Sequence, residues 1–186
     1  MINTDLTAAP LYFAGDIKAK EFVNALSLGA PFSVKGIVYR AAAPLYDLTE
    51  YIRLAKERDL ALLIDYSSVK GEDVSSICGA LFNAAFPLKF ISSEKSAQAS
   101  LKKTFPRAEF LLKSEFFDVT LVPDLLINGF AADIYYDKLT FERIRDLHAL
   151  NIPTFCHGVK DADVAALLTY YNVDGIIVES ARVFKV

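Results

Sequence analysis

The chain contains no tryptophan, one methionine, two histidines and two cysteines, and each scarcity removes a class of protein. Cys78 and Cys156 belong to no paired-cysteine spacing, so neither a disulfide framework nor a zinc knuckle can be built on them. His148 and His157 have no partner at metal-ligand spacing, so no metal site is expected. The phosphate-cradling P-loop, the Rossmann glycine pattern, the nucleophile elbow and the metalloprotease helix are all missing, and no cofactor is expected. The longest apolar stretch, Ile77 to Leu88 with Asn83 inside it, is too short to span a bilayer. The opening MINTDLTAAP has neither the basic nor the apolar region of a secretory signal, which makes the reducing cytoplasm the expected compartment. Excess positive charge is missing too: 20 Lys and Arg stand against 23 Asp and Glu, a net charge of −3. Such a balance argues against tight nucleic-acid binding except through a local patch.

What the chain does have is apolar sequence, 53% of its residues, which suits a sheet buried on both faces. Its length of 186 residues and the lack of any linker or charge block predict a single domain over 1–186. Short apolar runs alternate with segments of helical period. The runs are 11–14, 36–40, 60–64, 88–91, 108–112, 131–136, 152–156 and 173–178. Between them, Asp16 starts a helix that Gly29 and Pro31 stop. After a loop with Pro44, Asp47 and Glu50 stand at capping-box spacing. Val74, Ile77, Cys78, Leu81 and Phe82 form the best helical stripe in the chain. A polar helix opens at Ser92 to Glu94 and ends before Pro106. Between Asp118 and Leu126 a short helix interrupted at Pro123 is expected, then a turn at Asn128-Gly129. A helix from Thr140 stops at Asn151, and one capped by Asp161 stops at Asn172.

Eight strands alternating with helices imply parallel pairing and right-handed crossovers. The predicted fold is a compact (β/α)8 barrel lacking its last helix, because only Ser180 to Val186 follow the eighth strand. An open doubly wound parallel sheet is the alternative if the sixth strand fails. Both place a site at the C-terminal ends of the strands.

The residues at those ends are Gly15 and Asp16, Arg40, Asp65 to Ser68, Ser92 to Glu94, Lys113 and Ser114, Asp137, Cys156 to Gly158, and Glu179 with Ser180. An anion site is expected at the last two loops, where many barrels bind phosphate beside a short helix. Gly158 permits close backbone approach, Ser180 offers an N–H and a hydroxyl, and Arg40 or Lys113 supplies a counter-charge. Glu179 and Asp161 would repel a phosphate unless turned away. Asp65 ends a buried strand, either as a hydroxyl acceptor or base, or as an anchor for Ser67, Ser68 and Lys70. His157 invites an acid–base role. Neighbours in a strand face opposite ways, so at most one of Cys156 and His157 looks into the barrel. Cys156 and Cys78 read as core, His148 as a surface or packing residue.

LLIDYSSVKGED, FISSEKS, NIPTFCHG and VESARVFKV resemble the third, fourth, seventh and closing strand segments of the bacterial glycerol-3-phosphate-responsive antiterminators. These are compact barrels of about this length. Asp65, Gly71 and Ser180 fall on matching positions, and Ser92 lies in the matching hydroxyl-rich segment. This chain has Leu63 where that family has a histidine and His157-Gly158 where it has a glycine pair. The resemblance implies a regulator that binds a small phosphorylated metabolite and acts on leader RNA, while the arginine expected around strand five has no clear counterpart. Taken with the strand-end reading, the expected ligand-binding residues are Asp65, Arg40, Ser92, His157, Gly158 and Ser180. The basic surface for RNA would be Lys95, Lys102, Lys103 and Arg107.

LTFERIRDLHALNIPTFCHGVKDADVAALLTYYNVDGIIVES and FISSEKSAQASLKKTFPRAEFLL resemble the glycerophosphodiester phosphodiesterases. Their His-Arg pair after strand one is replaced by Ala14-Gly15-Asp16, and Arg40 ends strand two where they carry acidic metal ligands. A metal-assisted phosphodiesterase is therefore not expected. Two competing expectations stand beside the regulator. One is a small barrel enzyme, a lyase, isomerase or divergent phosphodiesterase, using Asp65 and His157 as acid and base. The other is a barrel with only a scaffolding role. Oligomeric state is not fixed by anything in the sequence.

Overall fold

The computed structural model describes residues 9–28, 34–41, 45–67 and 71–184. Gly29, Pro31, Pro44, Ser68 and Lys70, which entered the reading of the sequence, lie outside them, as does the side chain of Val74. The described residues close an eight-stranded parallel barrel in sequence order. Its strands are β1 (Leu11–Phe13), β2 (Val34–Arg40), β3 (Ala61–Asp65), β4 (Leu88–Ser92), β5 (Glu109–Ser114), β6 (Ala131–Tyr135), β7 (Thr154–Val159) and β8 (Gly175–Val178). β1 closes on β8 through Leu11↔Ile176, Tyr12↔Ile177 and Phe13↔Val178. The sixth strand pairs on both sides, so the ring closes and the open-sheet alternative falls.

Among the described residues seven helices wrap the barrel: α1 (Lys20–Leu28), α2 (Leu45–Arg58), α3 (Gly71–Leu81), α4 (Lys95–Thr104), α5 (Val122–Asn128), α6 (Phe141–Ala149) and α7 (Ala162–Tyr170). A 3₁₀ turn, Ala181–Phe184, follows β8. Local chemistry sets several boundaries. Thr140 accepts from the Arg143 N–H at the start of α6, and Asp161 accepts from Asp163 and Val164 at the start of α7. Asn151 and Asn172 take positive φ, 57° and 62°, just past the helices they end. Asp47 lies inside the first turn of α2 rather than at its cap. Pro123 stands at the start of α5, where a missing N–H costs nothing, so it opens that helix instead of interrupting one. A separate 3₁₀ turn, Val119–Leu121, precedes it with Asp118 as cap.

Strand alternation divides the apolar residues into two cores. Outward residues such as Leu62, Ile64, Phe90, Phe110, Leu112 and Cys156 pack under the helices. Inward residues, Tyr12, Val38, Ala61, Leu63, Ile91, Leu111, Ala131, Phe155 and Ile177, fill the barrel. In the α3 stripe Ile77 and Leu81 are buried, but Cys78 is half-buried and Phe82 is 71% exposed, because the helix ends at Leu81 and releases the next side chain. No helix among the described residues is long and apolar enough to cross a membrane.

Candidate functional site

Following each strand upward from the apolar filling leads to a charged side chain at the C-terminal mouth. Two residues beyond Val38 is Arg40, beyond Leu63 is Asp65, and beyond Leu111 is Lys113. Beyond Ala131 is Asp133, beyond Phe155 is His157, and beyond Ile177 is Glu179. The two-residue period of the strand places all six at the same end. They line one crevice with Ala14, Val38, Ile91 and Ile177, and the space left between them is about 10 Å³, room for at most about one water. A ligand would therefore sit on this polar layer, not within it.

Charges pair across the layer. Lys113 Nζ lies 2.9 Å from Asp65 Oδ2, and Asp65 Oδ1 accepts from the Ser67 N–H at 3.1 Å. Burial alone would raise the Asp65 pKa, but the charge and hydrogen bond of Lys113, with help from Ser67, outweigh it and hold it below 3.8. Asp65 is thus a fixed carboxylate, suited to accept hydrogen bonds and ill suited to give up a proton as an acid.

His157 is fixed from behind. Its Nδ1 lies 3.0 Å from Oδ1 of Asp133, a residue with no exposed surface. Burial lowers the His157 pKa, yet the hydrogen bond and charge of Asp133 more than compensate, and the net shift is above 6.5. Nε2 is buried and has no hydrogen-bond partner among the described residues. Glu115 Oε1 lies 3.7 Å from it, beyond hydrogen-bond distance. Cys156, the neighbour, points outward, fully buried, with burial pushing its thiol pKa well up; it is no nucleophile.

On the opposite side of the mouth Arg40 Nη2 lies 2.9 Å from Glu179 Oε1, and Lys160 Nζ lies 3.7 Å from Glu179 Oε2. Asp161 is turned away into its cap of α7. Gly158 takes φ +83° at an irregularity in the β7–β8 pairing, and an added Cβ would lie 2.3 Å from a carbon of the Tyr135 ring. Only glycine is compatible with both. Ser180 Oγ accepts from the Arg182 N–H at 3.2 Å and so caps the final 3₁₀ turn.

Of the residues singled out in the sequence, Asp65, Arg40 and His157 meet in the mouth, with Gly158 beside His157. Ser92 faces the other way. Its buried Oγ accepts from the Glu94 N–H at 3.0 Å and shapes the β4–α4 turn. The α4 patch is partly spent within the fold, since Lys95 pairs with Asp124 and Lys102 bonds the Asn128 carbonyl, leaving Lys103 and Arg107 outermost. His148 pairs with Asp174 at 2.8 Å, a packing role. Sequence reasoning missed Asp133. Its signal is a lone carboxylate in the middle of the apolar run Ala131–Tyr135, where only a partner could offset its burial. No group of three or more His, Cys, Asp or Glu among the described residues is arranged to hold a metal.

No family model matches the chain, and no curated protein does either. Solved structures match over nearly the whole length. A phosphodiesterase from Oleispira antarctica, in complex with the product sn-glycerol-3-phosphate, superposes with a TM-score of 0.72 at 14% identity over 94% of each chain. A glycerol uptake operon antiterminator regulatory protein from Listeria monocytogenes gives 0.64 at 11%, over 94% of this chain and 93% of that one. An antiterminator-related protein from Thermotoga maritima gives 0.65 at 12%, over 96% and 98%. The chain shares their barrel. Both families that its segments resemble in sequence are thus among its structural neighbours, and at these identities the likeness is one of fold.

Proposed function

We propose that the mouth binds a small phosphorylated metabolite of the glycerol 3-phosphate type and that the protein is a cytoplasmic regulator. One observation carries the reading: His157 Nε2 is buried, has no hydrogen-bond partner among the described residues and is fixed from behind by Asp133, in the crevice that Lys113 also lines. Nδ1 donates to the Asp133 carboxylate, so Nε2 donates when the ring is protonated, the form that Asp133 favours, and the resulting imidazolium suits an anionic or oxygen-rich ligand. Asp65 would accept from a ligand hydroxyl, while Arg40 with the Gly158 and Ser180 loops would face the phosphate. On this reading the 186 residues act as one domain and need no cofactor or metal. The structural neighbours bound to sn-glycerol-3-phosphate or concerned with glycerol uptake support the ligand class.

The test is the thermal midpoint of the purified protein with and without millimolar glycerol 3-phosphate, glycerophosphodiesters, inorganic phosphate and divalent metals. A ligand at about 100 times its Kd adds roughly 2.7 kcal/mol, several degrees here. A rise with glycerol 3-phosphate that His157→Ala abolishes supports the reading, and flat curves throughout refute it in favour of a scaffold. Leader RNA as a partner would rest on Lys103 and Arg107, and unchanged RNA binding after charge reversal at both removes that patch.

A second reading, catalysis on a phosphorylated substrate, is favoured by the Asp133–His157 pair, the arrangement that orients a general base. His157 would carry the proton, with Asp65 as a fixed anion. A bell-shaped pH–rate profile lost in His157→Gln would establish it.

A further inference from the structure

We propose that Glu179 is a built-in competitor for the anion subsite: its carboxylate occupies the cations Arg40 and Lys160 in the free protein, and a ligand phosphate must displace it. The inference rests on the proposed binding of a phosphorylated metabolite and names the residue that sets its affinity.

The geometry is specific. Arg40 ends β2 and Glu179 follows β8, and β1 lies between those strands. β1 gives way to Ala14 and Gly15, which put nothing larger than a methyl group in the path. At Gly15 a Cβ would lie 2.5 Å from the Phe13 ring and 3.2 Å from the Glu179 carbonyl oxygen, so the chain there is pressed against Glu179. Across this low point the Arg40 guanidinium reaches Glu179 Oε1 at 2.9 Å. Lys160, just past β7, approaches Oε2 at 3.7 Å. Each carboxylate oxygen therefore faces a cation from a different strand end, the arrangement a phosphate monoester would seek. The Arg40 and Lys160 side chains are 52% and 72% exposed, so neither cation is sealed off from a ligand, whereas Glu179 is only 28% exposed.

Exposed pairs of this kind contribute little to folding. Their consequence lies in binding. With Glu179 in place the cluster of Arg40, Lys160 and Glu179 carries a net charge of +1; without the carboxylate it carries +2, and within the cluster an incoming dianion meets no like charge. The residue thereby raises the concentration at which the site fills and discriminates against simple anions that bring no further contacts to Asp65 and His157.

The experiment is isothermal titration of the full chain at low ionic strength with inorganic phosphate and with glycerol 3-phosphate. Wild type, Glu179→Gln and Arg40→Gln/Glu179→Gln are compared. Removing one like charge at contact distance should tighten phosphate binding about tenfold or more, and the second substitution should cancel the gain. Glu179→Ala gives the same reading if Glu179→Gln does not fold. If wild type binds glycerol 3-phosphate and Glu179→Gln binds it equally or more weakly, the competitor is overturned while the binding function stands. If none of the three proteins binds either anion, both fall together.

Discussion

The two ends of the barrel interior carry charge in different ways. At the floor, Lys89 is almost wholly buried, pairs with Glu109, and lies with its ammonium 5.9 Å and 5.4 Å from the ring centres of Tyr12 and Phe155. Gly36 and Gly175 make room for those rings, since a Cβ at either would come within 2.7 Å of one. The rings close over the cation, Glu109 reaches it from the solvent side, and burial drives the Tyr12 pKa up to about 12. At the mouth, Asp65–Lys113 and Asp133–His157 cross between strands, the Tyr135 ring stands edge-on 5.7 Å from that of His157, and the buried His157 Nε2 has bonding capacity to spare. The floor is an apolar plug with one satisfied charge inside it. The mouth is a polar layer, oriented from below, that leaves a buried ring nitrogen without a hydrogen bond. An ion pair in a barrel therefore says little by itself; whether its atoms are all used, and what lies beyond them, separates support from a site.

Breaking the plug should have the largest effect on stability. Phe155→Ala is expected to cost about 3–5 kcal/mol in chemical unfolding, with ligand affinity of the folded protein unchanged; an equal loss of affinity would erase the distinction between the ends. Next comes Gly158→Ala at the mouth, which forces a side chain into a positive-φ position against Tyr135, at roughly 1–3 kcal/mol by the same measurement. Wild-type stability indistinguishable from the variant would mean that the ring moves freely.

A subtler contrast is in pH. The folded His157 pKa is raised, so its contribution is fully present below about pH 6.5, the ordinary value, and is lost as pH rises through the folded pKa. Unfolding free energy measured upward from that pH should decline, and Asp133→Asn should flatten the decline and lower the His157 pKa seen by NMR. Asp65 behaves oppositely. Its depressed pKa gives stability present above about pH 3.8 and lost as pH falls through the folded value, and Lys113→Met should remove that dependence. The smallest effect belongs to the floor cation. Lys89→Met should change stability by no more than about 1 kcal/mol, because its partner Glu109 is largely exposed and can return to water.

Local pattern made the architecture legible. Eight apolar runs, the caps at Thr140 and Asp161, and the asparagine stops at 151 and 172 each rest on interactions within a few residues, and all appear where the chemistry demands. Legibility failed where an outcome depended on distant partners. Phe82 continues the stripe of α3 in sequence, yet it falls beyond the helix end. Ser92 ends its run among hydroxyls, yet alternation turns it outward. His157 was expected past its strand and lies within it, because β7 extends to Val159 through pairing with β8.

The sequence by itself determined that eight strands would alternate with helices and that charged residues would gather at the strand ends, since both follow from local periodicity and the cost of burying a charge. Only the tertiary structure decided which charges meet. Asp133 and His157 are 24 residues apart, Asp65 and Lys113 are 48, and Arg40 and Glu179 are 139. Their pairing is fixed by the register of strands whose backbone hydrogen bonds are indifferent to side-chain identity, so closure of the barrel alone turned scattered charges into a site.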